Sequence, residues 1–327
     1  MKHIFIPSLL FALALPAAAQ QAALKAEAAL ITVQENGDSL TTKIWITNAT
    51  RTAIRYLEKI NSTESKDLAL GPKAAVYYVE PREYSQALDL YQGRKYKEAL
   101  EKFSAVKTAY KPIELAPGNY GALAGFHEME CLRKLGDLEG LSTALGAFKK
   151  DGLTREHHLR QLELNVIWNT VHIKNWERLE VLANERSQGR LPDYQRAQIA
   201  YFLALAHEQA GRLDEALTSY QTAMVADAGA SEDIARASAL QIMKIIKADP
   251  EVQIVINLWG GPKEKKSGVA YNRLLEAGAV ARLFELSLGA GKPLPAEFKE
   301  FVKYSEADAP AAKDAAEPKA EEEKEGS

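Results

Sequence analysis

One cysteine, Cys131, stands in a chain of 327 residues. A single thiol excludes an internal disulfide, so stability has to come from packed side chains, and a buried thiol on a helix is the expectation for Cys131. The net charge of -3 leaves no basic excess of the kind that marks a nucleic-acid surface. Beyond the first residues no apolar run approaches the roughly 20 that a membrane helix needs. Gly-rich phosphate loops, a dinucleotide fingerprint and a G-x-S-x-G turn are all missing. His127, Glu130 and Cys131 share one helical stretch, but a zinc site needs three or four ligands and no second cluster lies in reach. No metal and no cofactor are therefore expected. His157-His158 opens a helix, and neighbours on a helix point in different directions, so a solvated cap is the expectation there.

What is present starts with the leader. Lys2 and His3 precede an apolar stretch over 4–15, then Pro16 and Ala17-Ala18-Ala19. A charged start, a short apolar segment and a small-residue cleavage site read as a secretory signal peptide over 1–19. The mature chain is expected to begin near Gln20. No Cys follows the cleavage site, so an exported periplasmic or extracellular protein is expected, soluble and not a lipoprotein. The apolar share of 46 % and charged share of 26 % suit a water-soluble globular chain.

Residues 20–82 read as a small β module. Asn36-Gly37 is a strong hairpin signal, because both central residues of that turn take positive φ. Residues 40–47 alternate, with Leu40, Thr42, Ile44 and Ile46 on one face and Lys43, Trp45 and Thr47 on the other, which predicts a half-buried strand. A third strand is expected within 51–60, a polar loop over 61–71, and a fourth strand over 74–79. Such strands are expected to curl into a small barrel or to pack on the helices.

From Glu83 the apolar period changes to about 3.6 residues. The strongest stretch is 201–223, YFLALAHEQAGRLDEALTSYQTA. Gly211 separates two amphipathic helices, and Ala204 and Ala216 are small where neighbours are large. Residues 84–91 with 96–103, 119–135 with 138–148, and 156–173 with 176–186 repeat the arrangement. The equivalent positions Ala99, Leu141, Leu179 and Ala216 are 42, 38 and 37 residues apart. Ser231 is a candidate N-cap for a helix ending before Pro250, and further helices are expected over 251–259, 270–288 and 296–304. From Ser305 to Ser327 there are 3 Lys and 8 Asp+Glu and no large apolar residue, which predicts a disordered acidic tail.

The 201–223 stretch, and the second helix over 96–103, resemble the tetratricopeptide (TPR) repeat, a helix-turn-helix unit of about 34 residues. The β pattern resembles the small SH3-like or Sm-like barrels that precede helical repeats in exported bacterial proteins. The resemblance implies a mainly α chain: a TPR-like α-solenoid of antiparallel helix pairs over 83–230, preceded by the antiparallel β module and capped by the helices of 231–304. In such a solenoid the first helix of each pair lines a concave groove. The matching positions here are Tyr84, Tyr91, Phe126, Glu130, Leu164, Trp168, His172, Tyr201, Leu205 and Glu208, some of which a shifted register would instead bury as core. The function implied is a protein-protein interaction scaffold, not an enzyme, that binds a partner protein or peptide segment outside the cytoplasm. Two alternatives stand beside it. One is a structural or assembly component of the envelope; the other is an enzyme or small-ligand receptor with a pocket at the β/helix junction, using His127, His172 or Glu130.

Overall fold

Alternating side chains at the start of the chain fold as an antiparallel sheet: β1 (Glu27–Glu35), β2 (Asp38–Ala49), β3 (Ala53–Leu57), β4 (Lys66–Ala69) and β5 (Ala74–Tyr78), in spatial order β4-β3-β2-β1-β5. This is a computed structural model, and it describes residues 27–35, 38–289 and 291–306. The expected leader, the Asn36-Gly37 turn and residues 307–327 of the expected tail lie outside the described residues. β1 and β2 pair in register, with Glu35 opposite Asp38.

The alternation in β2 is observed where there is a core to meet. Ile44 and Ile46 are fully buried, whereas Leu40 is 70 % exposed because it lies beyond the packed part of the sheet. A bulge between Ile46 and Asn48 breaks the alternation. Thr47, expected on the outer face, is buried there and donates its hydroxyl to the Arg55 carbonyl (3.2 Å). The expected loop over 61–71 contains β4. Only Leu68 and Leu70 alternate in it, too short a pattern to announce a strand. The ladder with β3 forms it, flanked by Arg55–Asp67 (2.8 and 3.1 Å) and Lys66–Glu58 (2.5 Å).

The rest is helical: α1 (Arg82–Gln92), α2 (Tyr96–Ala109), α3 (Tyr120–Leu135), α4 (Leu138–Ala147), α5 (Glu156–His172), α6 (Trp176–Ser187), α7 (Asp193–Gln209), α8 (Leu213–Ala226), α9 (Glu232–Ala248), α10 (Pro250–Leu258) and α11 (Val269–Leu283). A π-helical turn, Phe284–Leu288, ends α11, and a 3-10 segment, Ala296–Glu306, closes the described chain. Ser305 and Glu306, expected in the tail, belong to that segment. Among the described residues no helix is long and apolar enough to cross a membrane.

The chain divides into two units. The first holds the sheet, α1, α2, α3 and residues 146–159. Its core joins Ile31, Ile44, Ile46 and Ile54 of the sheet to Tyr84, Ala87, Ala99, Phe103 and Val106 of α1 and α2, so the sheet packs on helices as one of the two expected arrangements required. The second unit holds residues 136–145 and everything from Arg160. Its core runs from Ala204, Ala216 and Tyr220 through Ile242 and Ile246 to Leu274, Phe284, Phe301 and Tyr304. Ala204 and Ala216 are both fully buried. Gly278 of α11 permits the last close approach: a Cβ there would stand 2.6 Å from the Ser305 nitrogen.

The turns between paired helices share one geometry. A residue with left-handed backbone lies two positions before each second helix: Arg94 (φ 60°), Gly136 (φ 76°), Lys174 (φ 56°) and Gly211 (φ 73°). Gly93, adjacent to the first of these, is right-handed (φ -73°), so the gap before Tyr96 is the same length as the gap before Leu213. Three of the turns close with the same bond across the helix end: Lys95 N–H to Leu90 carbonyl, Asn175 to Thr170, and Arg212 to His207, at 2.9, 3.2 and 2.9 Å. This is the Schellman closure, which satisfies carbonyls that a helix end leaves open. The next residue is the N-cap. Asp137 and Asn175 accept the N–H of Gly140 and Arg178 (2.8 and 3.1 Å), while Lys95 and Arg212 make no side-chain cap. Ala99, Leu141, Leu179 and Ala216 sit at one position of these second helices, and all are fully buried. Ser231 stands at the N-cap of α9 and makes no side-chain cap bond; its hydroxyl donates to the Asp227 carboxylate (2.9 Å).

Candidate functional site

The expected groove residues divide between core and surface. Tyr84, Phe126, Glu130, Leu164 and Trp168 are buried, so their side chains serve packing and offer almost no area to a partner. Tyr84 meets Phe103 and Tyr120 edge-on (5.6 and 4.9 Å). Trp168 donates its ring N–H to Gln198 (2.9 Å) and lies against Phe202. Glu130 pairs with Arg133 at 3.0 Å, both side chains less than a tenth exposed. Tyr91, His172, Tyr201, Leu205 and Glu208 are half-buried.

In the first unit Tyr84, Tyr91 and Phe126 converge on His127, with ring centroids 6.0, 5.6 and 5.3 Å away. His127 also stacks on Phe103 at 5.0 Å. His158, expected in solvent, is buried against Phe126 (4.5 Å), while His157 beside it is exposed. The pair does point two ways, but one of the two ways is inward. Neither His127 Nδ1 nor His158 Nδ1 has a hydrogen-bond partner. Burial pushes both imidazoles down to about 4, since an apolar setting disfavours the charged form. Cys131 is fully buried, and burial pushes its thiol up to about 12. Among the described residues no group of three or more His, Cys, Asp or Glu is placed to hold a metal ion.

A cavity of about 530 Å³ opens in the second unit. Its walls are the end of α7 (Glu208, Gln209), the start of α8 (Leu213, Leu217), the end of α9 (Lys244, Ile245, Ile246, Ala248), the Asp249-Pro250 junction and Arg273 of α11. The Gly211 turn brings the α7 and α8 walls together. The Asp249 side chain accepts the Glu251 N–H (2.9 Å) and starts α10, with Pro250 in its first turn, where a missing N–H costs nothing. Arg273 holds the other Asp249 oxygen at 2.6 Å and reaches Asp214 of α8. One guanidinium therefore ties α8, α11 and the α9–α10 junction around the opening.

Glu208 is the groove residue from the sequence that lines this cavity. Its carboxylate accepts the hydroxyl of the fully buried Tyr220 at 2.5 Å. Tyr220 is raised by burial and by that bond, and burial, with the Glu208 charge adding to it, pushes Tyr201 up to about 12. Both phenols thus stay neutral donors at physiological pH. Leu205 packs on the same core. The site offers an apolar floor, a carboxylate acceptor and cations at the rim, the composition of a recognition pocket. Leu213, Leu217, Ile245, Asp249 and Arg273 carried no sequence signal as a group, because they come from four separate segments. Pro250 was expected only to end the preceding helix. No family model matches the chain, and neither a curated protein nor a solved structure matches it.

Proposed function

We propose that the chain is an exported TPR-like scaffold that holds a partner polypeptide, with the α7–α11 cavity as its anchoring site. The observation that carries this reading is the recurring turn: left-handed residue, N-cap, and a buried residue four positions after the cap, four times over. A unit repeated with one geometry is how helix pairs stack into a binding surface. The half-buried Tyr201, Leu205 and Glu208 face the partner, and Leu213 and Ile245 form the apolar floor on which an anchor side chain lies. The test is photo-crosslinking in cells, with the reactive residue at Leu205, at Lys244 and, as the outside control, at Val225, which is 68 % exposed. One polypeptide adduct shared by the first two positions and absent from the third is the expected result. No adduct at Leu205 or at Lys244 overturns the reading.

A second reading, a small-ligand receptor, is favoured by one observation: about 530 Å³ is within the range of small-molecule pockets. It places the ligand among α7, α8, α9 and α11 rather than at the β/helix junction. Native mass spectrometry of the purified chain separates the two, since a retained small molecule appears as a discrete mass increment.

A further inference from the structure

Resting on the scaffold reading above, we propose that this cavity selects a lysine or arginine side chain of the partner. The ammonium or guanidinium sits on the Glu208 carboxylate, and the aliphatic stem lies along Leu213, Leu217 and Ile245.

The charges around the opening differ in how far they are already satisfied. Asp249 is spent: one oxygen caps α10 and the other holds Arg273. Asp214 shares the same guanidinium. Arg212, at the neighbouring turn, is taken by Glu180 at 2.7 Å. Lys244 is exposed on the rim and forms no ion pair with Glu208. Among the described residues, Glu208 is the acid of the cavity lining that has no ion pair. Its partner is the Tyr220 hydroxyl, which orients a carboxylate without neutralising it.

Three ligand classes meet this wall differently. A purely apolar group covers the floor but strips water from Glu208 without replacing it, which costs free energy. An acidic group gains Lys244 and meets Glu208 as a like charge. A cation on a long aliphatic stem satisfies both surfaces at once, the stem on the floor and the head on the carboxylate, and Lys and Arg are the side chains built that way. The fully buried Tyr220 behind the carboxylate lowers the local dielectric, which strengthens the pair over one at an open surface.

The test is a bead library of random hexapeptides presented to the purified full chain, to Glu208→Gln and to Leu213→Trp. Leu213 is 47 % exposed, so the indole obstructs the cavity without entering the core. The retained wild-type peptides are expected to be enriched in Lys or Arg at one position. Replacing that residue by norleucine, or Glu208 by Gln, weakens binding about tenfold, the scale of one charge-assisted hydrogen bond. Leu213→Trp abolishes binding. If Leu213→Trp abolishes binding while the retained peptides show no basic preference, or Glu208→Gln keeps it, the cation assignment falls and the scaffold reading stands. If no hexapeptide is held but 1,5-diaminopentane is, the ligand is a free amine, and both fall. Both fall as well if neither is bound.

Discussion

Arg94 and Lys174 hold a backbone conformation that glycine occupies at the other two turns. A side chain there brings Cβ against the following carbonyl, at about 1–2 kcal/mol, and the entropy that glycine loses on folding offsets part of the gain from removing it. Arg94→Gly and Lys174→Gly are therefore expected to stabilise by about 0.5 kcal/mol each, and Gly211→Ala to destabilise by about 1 kcal/mol. Urea unfolding midpoints check all three, and a destabilised Arg94→Gly would contradict the argument. The buried imidazoles give a second residue-scale prediction. His127 and His158 sit at about 4 when folded, against about 6.5 unfolded. Between those values the unfolded chain takes up protons that the folded chain refuses. Their contribution is complete above about pH 6.5, declines as pH falls towards 4, and levels off below. Each histidine adds about 1.4 kcal/mol per pH unit to the slope within that window. Stability measured from pH 7 to 4 should flatten by one such increment in His127→Gln and again in His158→Gln.

At the scale of elements, the Arg273 fork decides how α8, α11 and the α9–α10 junction meet. Its two contacts are unequal. The Asp249 side chain is 17 % exposed and the Asp214 side chain 76 %. Solvent screens the second pair, and exposed pairs are worth little. Double-mutant cycles in urea are expected to give a coupling of about 1–2 kcal/mol for Arg273 with Asp249 and below about 0.5 kcal/mol for Arg273 with Asp214. Equal couplings would show that the arginine is not a junction clamp. Elements were also where sequence patterning was most and least informative. Helices α1 to α11 all fall on expected segments, because a 3.6-residue apolar period survives over nine or more residues. β4 was missed because a four-residue edge strand, half of it charged, has no period to detect. Its pairing with β3 makes it a strand.

For the molecule as a whole, buried clusters such as those around Phe103 and around Tyr220 sustain a chain whose one cysteine is a free thiol. With no internal disulfide possible, packing alone holds its fold. The export proposal has its own test: the intact mass of the protein recovered from the cell envelope should correspond to a chain beginning near Gln20. A cytosolic protein that retains Met1 would refute it.

The periodicity of the chain by itself determined its class, the order of sheet before helices, nearly every helix, and the buried positions Ala99, Leu141, Leu179, Ala204 and Ala216. These depend on spacing along one segment, which local geometry converts directly into a face. Tertiary structure alone decided which expected groove residues became core. Tyr84, Phe126 and Trp168 are buried against Phe103, His158 and Gln198, 19 to 32 residues distant, Glu130 pairs with Arg133 on its own helix, and Leu164 is buried with them. It also decided the cavity, whose walls lie up to 65 residues apart between Glu208 and Arg273. A one-dimensional pattern records which face of a helix is apolar; what that face meets is settled only when the helices pack.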